Sequence, residues 1–133
     1  MNPLAENANQ YQPPKITVLM PVYNVSKFLP KCLQTLMDQT FRDFRLIAVN
    51  DGSTDNCLEI LRDFEARYHN ITVIDQPNRG MSMARNAALA LADSKYICFV
   101  DSDDYIAENF IETLYDLLHE YHTDISAVHW KLV

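Results

Sequence analysis

Phe44-Arg-Leu-Ile-Ala-Val-Asn-Asp-Gly-Ser-Thr-Asp55 sets the fold class. Its first six residues form a largely apolar, β-rich run, and its last six are the Asn, Asp, Gly, Ser and Thr residues that close a strand and open a helix. Leu58, Leu61, Phe64, Ala66 and Tyr68 then recur at helical spacing, so the stretch reads strand, turn, helix. The same succession returns along the chain. Ile16–Met20, Ile71–Ile74 and Tyr96–Val100 are further short strand-like runs. Helical spacing recurs in Phe28, Leu29, Cys32, Leu33, Leu36 and Met37, and again in Met83, Ala84, Ala87, Ala88 and Leu91. A fourth helix is expected from about Ala107 to Tyr121, with Phe110, Ile111, Leu114, Leu117 and Leu118 inward, and Asp124–Trp130 reads as a fifth strand. Repeated β-α-β with nearly continuous apolar strands predicts an α/β fold: a mostly parallel sheet with helices on both faces.

Composition narrows the class of function. A chain of 133 residues, 48% hydrophobic and 22% charged, fits one globular domain with a real core. Its formal net charge of −7, without any Lys/Arg cluster, argues against affinity built on nucleic-acid phosphates or anionic lipid headgroups. An anionic ligand must therefore be held by a local device. Cys32, Cys57 and Cys98 are odd in number and widely spaced, which reads as free thiols in a reducing compartment. No apolar run approaches the ~18 residues of a membrane span, and Met1–Gln12 lacks the pattern of a signal peptide. The expected location is the cytoplasm. Residues 1–14, ending in Pro13-Pro14, read as a flexible leader, and the domain is expected over 15–133.

Ligands of parallel α/β sheets bind at the carboxyl ends of the strands. The polar and special-geometry residues of this chain collect there, as do both of its glycines, Gly52 and Gly80, where average usage of ~7% would supply about nine. Asp101-Ser-Asp-Asp104 places three carboxylates within four residues, which suits a hard divalent cation or, alternatively, a helix start capped by Asp103 or Asp104. Asp51 is left over once Ser53, Thr54 or Asp55 caps the following helix. It could accept from a base or ribose, or simply bond turn backbone. Arg85, near a helix N-terminus, opposes the dipole and wants an anionic partner such as a diphosphate or a neighbouring aspartate, unless it is a solvated surface arginine. Pro21 reads as a strand stop, and Tyr23 could stack on a base or cover the core. His69, His119, His122 and His129 share no metal-ligand spacing.

Taken together, Thr17-Val-Leu-Met-Pro-Val-Tyr-Asn24, Asn50-Asp-Gly-Ser-Thr-Asp55, Asn78-Arg-Gly80 with Ala84-Arg-Asn86, and Phe99-Val-Asp-Ser-Asp-Asp104 resemble family 2 glycosyltransferases of the GT-A fold, in order and in spacing. The resemblance covers Lys15 to about Trp130. It implies the Rossmann-like GT-A nucleotide-binding half, a nucleoside-diphosphate sugar donor such as a UDP-sugar, a Mn²⁺ or Mg²⁺ cofactor and inverting transfer to a glycan or lipid-linked acceptor in bacterial surface polysaccharide synthesis. By the same resemblance Pro21, Tyr23, Asp51, Asn78, Arg85, Asp101 and Ser102 line the nucleotide, and Asp101 and Asp103 are the D-x-D pair at the metal. The catalytic base and acceptor segments are expected beyond residue 133, with membrane contact at the inner face through parts other than this chain. A nucleotide-sugar-binding fragment without transfer activity is the alternative. One departure is local: the family usually shows Asp-Asp-Gly-Ser where this chain has Asn50-Asp51-Gly-Ser.

Overall fold

The computed structural model describes residues 11–129, so the expected leader over 1–10, the domain end over 130–133 and the last residue of the expected fifth strand lie outside the described residues. Strands β1 (Ile16–Val22), β2 (Phe44–Asp51), β3 (Ile71–Gln76) and β4 (Tyr96–Phe99) alternate with helices α1 (Leu29–Met37), α2 (Cys57–Arg67), α3 (Met81–Leu91) and α4 (Phe110–Glu120). The strands lie in the order β3-β2-β1-β4 and every neighbouring pair is parallel, as the apolar pattern predicts. No helix among the described residues is long and apolar enough to cross a membrane.

Alternation along the strands divides the core in two. Val18, Met20, Val22, Leu46, Ala48 and Val73 pack against Leu29, Leu33 and Leu36 of α1, Leu61 and Phe64 of α2, and Ile111 of α4. Leu19, Ile47 and Val49 face the other way, where Ala84 and Ala88 of α3 cover them. Buried Gln39, just after α1, ties α4 to this frame. Its amide donates to the carbonyls of Thr35 at 3.1 Å and Ala107 at 2.6 Å, and its Oε1 accepts from the Ile111 N–H at 3.0 Å. All of its hydrogen-bonding groups find partners, which offsets the cost of burying an amide.

Three strands run two residues further than their apolar runs, so the polar motif residues stand in the sheet itself. Pro21 pairs with Val49, Val22 with Asn50, Asn50 with Asp75 and Asp51 with Gln76. Pro21 is therefore not a stop. Leu19, two residues earlier and facing the same side, accepts from the Val100 N–H at 3.2 Å, and β4 has already ended at Phe99. The N–H that proline lacks would point where no ladder remains.

The expected fifth strand does not form. Residues 124–129 carry no strand, Ile125 is 84% exposed, and Trp130 lies outside the described residues. The chain turns at His122, with φ 50°, and the Thr123 N–H bonds back to Leu118. Alternating Ile125 and Ala127 thus lack a ladder to join, and alternation without a partner makes no strand. At the other end, the Tyr11 hydroxyl donates to Asp93 at 2.9 Å, so the last part of the expected leader rests on the domain.

Candidate functional site

The loops after β1 and β2 are sewn together at the carboxyl end of the sheet. Asn24, in the left-handed region at φ 49°, accepts the Thr54 N–H on its Oδ1 at 2.8 Å, while its own N–H donates to the Ser53 hydroxyl at 3.1 Å. Asn tolerates that backbone because its short amide bonds locally. Asp55 accepts from the N–H groups of Ser26 at 3.0 Å and Cys57 at 3.1 Å. None of the three candidate caps is the N-cap of α2, which is Asn56 without a side-chain cap bond; Asp55, one residue earlier, serves the first helical N–H instead. Tyr23 projects from this seam 42% exposed, leaving its ring face open instead of covering the core. Pro21 lies buried beneath it.

Asp51 joins the next loop to this block. It is 1% exposed, and its oxygens take three donors: Oδ1 from Gln76 Nε2 at 3.0 Å and the Arg79 N–H at 2.8 Å, Oδ2 from the Gly80 N–H at 2.9 Å. Burial alone would push this carboxyl up. The Gln76, Arg79 and Gly80 donors and the Arg79 charge outweigh it and hold the carboxyl below its ordinary value. Asp51 thus bonds backbone, but the backbone of a loop 28 and 29 residues away, not of its own turn. Gly52 makes the approach possible. Its φ is +69°, and a Cβ there would stand 2.5 Å from the backbone nitrogen of Asn78. Asn78 is consequently held, exposed, beside the Asp51 clamp.

The tip of β4 is different in kind. Asp101, Asp103 and Asp104 are exposed and Ser102 is 5% exposed. Asp101 finds Arg85 of α3 at 3.7 Å, the neighbouring aspartate that the position of this arginine called for. Neither Asp103 nor Asp104 caps a helix, because α4 begins only at Phe110, behind Asn109. Burial, then the charges of Asp101 and Asp103, pushes the Asp104 carboxyl up. Beneath the cluster the Cys32 thiol, 3.5 Å from the Asp101 carbonyl oxygen, is pushed up to about 12 by burial and by the charges of Asp104, Asp103 and Asp101. That thiol is inert.

Among the described residues no three His, Cys, Asp or Glu side chains are arranged to hold a metal by themselves. Exposed Asp101 and Asp103, one residue apart, instead fit a cation that completes its shell from a ligand's phosphates, as Mg²⁺ ordinarily does. The residues read from the motifs therefore fall into two groups: Pro21, Tyr23, Asp51 and Asn78 around the β1–β3 tips, and Arg85, Asp101, Ser102 and Asp103 between α3 and β4. Their sequence signal missed Gln76, Asn24 and the bond of Asp55 to Ser26, all of which depend on which strands are neighbours. An Asn or Asp that bonds across loops looks in sequence like any turn residue.

The family model for glycosyl transferase family 2 matches residues 17–132. Glycosyltransferase GlyA of Streptococcus pneumoniae is 46% identical over 112 residues, which is 84% of this chain and 16% of that protein. The poly(ribitol-phosphate) beta-glucosyltransferase of Bacillus spizizenii is 38% identical over 116 residues, 84% of this chain and 18% of the relative. Among solved structures, S. aureus TarS 1–349 in complex with UDP superposes with a TM-score of 0.76 at 31% identity, covering 90% of this chain and 38% of that one. The chain spans well under half the length of these relatives. Fold, strand-tip motifs and family match agree: the chain belongs to glycosyl transferase family 2.

Proposed function

We propose that this domain binds a UDP-sugar at the carboxyl ends of its strands, together with Mn²⁺ or Mg²⁺ at Asp101 and Asp103, as the donor half of an inverting glycosyltransferase of bacterial surface glycan synthesis. The acceptor is a glycan or lipid-linked hydroxyl. One observation carries the reading: at one end of the sheet, a hydrogen-bonded block presenting Tyr23 and Asn78 stands beside a carboxylate cluster that, among the described residues, Arg85 alone meets as an ion-pair partner. The similarity to a structure solved with UDP supports the choice of nucleotide. Cytoplasmic placement is supported by Cys32, Cys57 and Cys98, all free.

Each part has a physical task. Tyr23 offers a ring face to a base, and the fixed β1–β3 loops keep the nucleoside in register without ordering cost at binding. Arg85 lies where it can turn from Asp101 to the diphosphate and stabilise the charge that grows on the leaving group. A divalent cation bound by Asp101 and Asp103 supplies further neutralisation of that charge. No described residue is assigned as the base that deprotonates the acceptor.

Calorimetric titration with UDP, with and without Mn²⁺, on the protein and on Asp103→Ala tests the proposal. Binding that needs both the metal and Asp103 is expected. Absence of binding to UDP, GDP and TDP in the presence of Mn²⁺ overturns it.

A further inference from the structure

We infer that Gln76 is a positioning residue of the nucleotide site, acting through Asp51; the inference rests on the donor-site reading above. The β2–β3 register sets Gln76 directly beside Asp51, on the α3 side of the sheet with Val49 and Ile47. A carboxylate oxygen has two lone-pair directions. Oδ1 fills both, with Gln76 Nε2 at 3.0 Å and the Arg79 N–H at 2.8 Å, whereas Oδ2 fills one, with the Gly80 N–H at 2.9 Å. Three donors leave a single acceptor direction, on Oδ2. A ligand N–H or O–H that reaches Asp51 must come along it.

Gln76 decides that this is so. The two backbone donors belong to consecutive residues of one loop and hold the carboxylate from one side. Without Nε2 the carboxylate keeps one backbone donor on each oxygen and has an open direction on each, so the single acceptor direction is lost. Gln76 also does this without charge, so it adds no attraction of its own for phosphate. Its Nε2 is committed to Asp51, and its effect on a nucleotide is inferred to pass through that bond.

The experiment is a double-mutant cycle on UDP affinity with saturating Mn²⁺, using wild type, Gln76→Met, Asp51→Asn and the double variant; Met keeps the length of Gln and removes the donor. Gln76→Met should weaken UDP roughly 3- to 10-fold, the value of one hydrogen bond, and should weaken it no further in the Asp51→Asn background. In ¹H–¹⁵N spectra of Gln76→Met the amides of Arg79 and Gly80 should shift while that of Cys57, held by Asp55, stays in place. Equal affinity of Gln76→Met and wild type overturns the inference alone, and so do additive effects in the cycle. Should the double variant not fold, unmoved Arg79 and Gly80 amides overturn it and shifted ones support it. Failure of the wild type to bind any nucleotide overturns the donor reading and this inference with it.

Discussion

The tips of β2 and β3 and the tip of β4 share one end of the sheet, yet they treat charge in opposite ways. At the first, Asp51 is buried and its oxygens take three donors of its own chain, and Asp55 likewise binds two N–H groups, that of Ser26 across the loop seam and that of Cys57 two residues on. At the second, three aspartates stand in solvent with one arginine 3.7 Å away. Charge satisfied internally organises the fold; charge left crowded and exposed is available to a ligand. The two acidic regions should therefore answer mutation in opposite currencies, stability at one and ligand affinity at the other.

The largest stability loss is expected from Gly52→Val, which forces a β-branched residue to φ +69° and a Cβ against Asn78. A cost of about 3 kcal/mol or more, read by urea unfolding, matches such strain plus overpacking. A near-neutral result would mean that the two loops do not touch as described. Asp51→Asn comes next, at about 2 kcal/mol, because the amide must turn a donor towards one of three N–H groups. Its pH dependence has a sign. The folded carboxyl lies below its ordinary value, so its stabilisation is fully present above the unfolded pKa of about 3.9 and is lost as pH falls through the folded value. Asp51→Asn should flatten that acid limb, and unchanged acid limbs would contradict the clamp. Asp55→Ala should lower stability by about 1 kcal/mol, through loss of its bonds to the Ser26 and Cys57 N–H groups, visible as a modest drop in Tm. The smallest effect belongs to Asp103→Ala, within about 0.5 kcal/mol without ligand, although Mn²⁺-dependent UDP binding should vanish. Were Asp103→Ala to cost as much stability as Asp51→Asn, the contrast between the two tips would collapse.

Apolar periodicity was enough to read four strands, four helices and a parallel sheet, because burial on both faces writes itself into composition. It ended the strands too early. Asn50, Asp51, Asp75 and Gln76 are polar and still in the ladder, where backbone pairing, not side-chain character, decides membership. It also overread Ile125 and Ala127, since alternation says nothing about whether a neighbouring strand is within reach. The acidic cluster and Arg85 were legible as types, but their pairing was not settled by sequence, since it depends on α3 crossing β1 and β2 before the chain enters β4. The Asp51 clamp was not legible. It joins residues 25 to 29 apart, and only the strand order β3-β2-β1-β4 brings them together.

Asn50 carries a consequence for the routes open to this sequence as it diverges. Its Nδ2 donates to Asp75 Oδ1 at 2.9 Å, and it is 3% exposed, with Oδ1 buried and unpartnered. An acid at position 50 would set a buried carboxylate against the exposed carboxylate of Asp75. The two positions are therefore coupled: Asn50→Asp should cost stability, and cost less once residue 75 is neutral or a donor. Aligned relatives are expected to sort by this pair, and chimaeras that exchange β2 without β3 to be weakened at the junction even where every other contact is preserved.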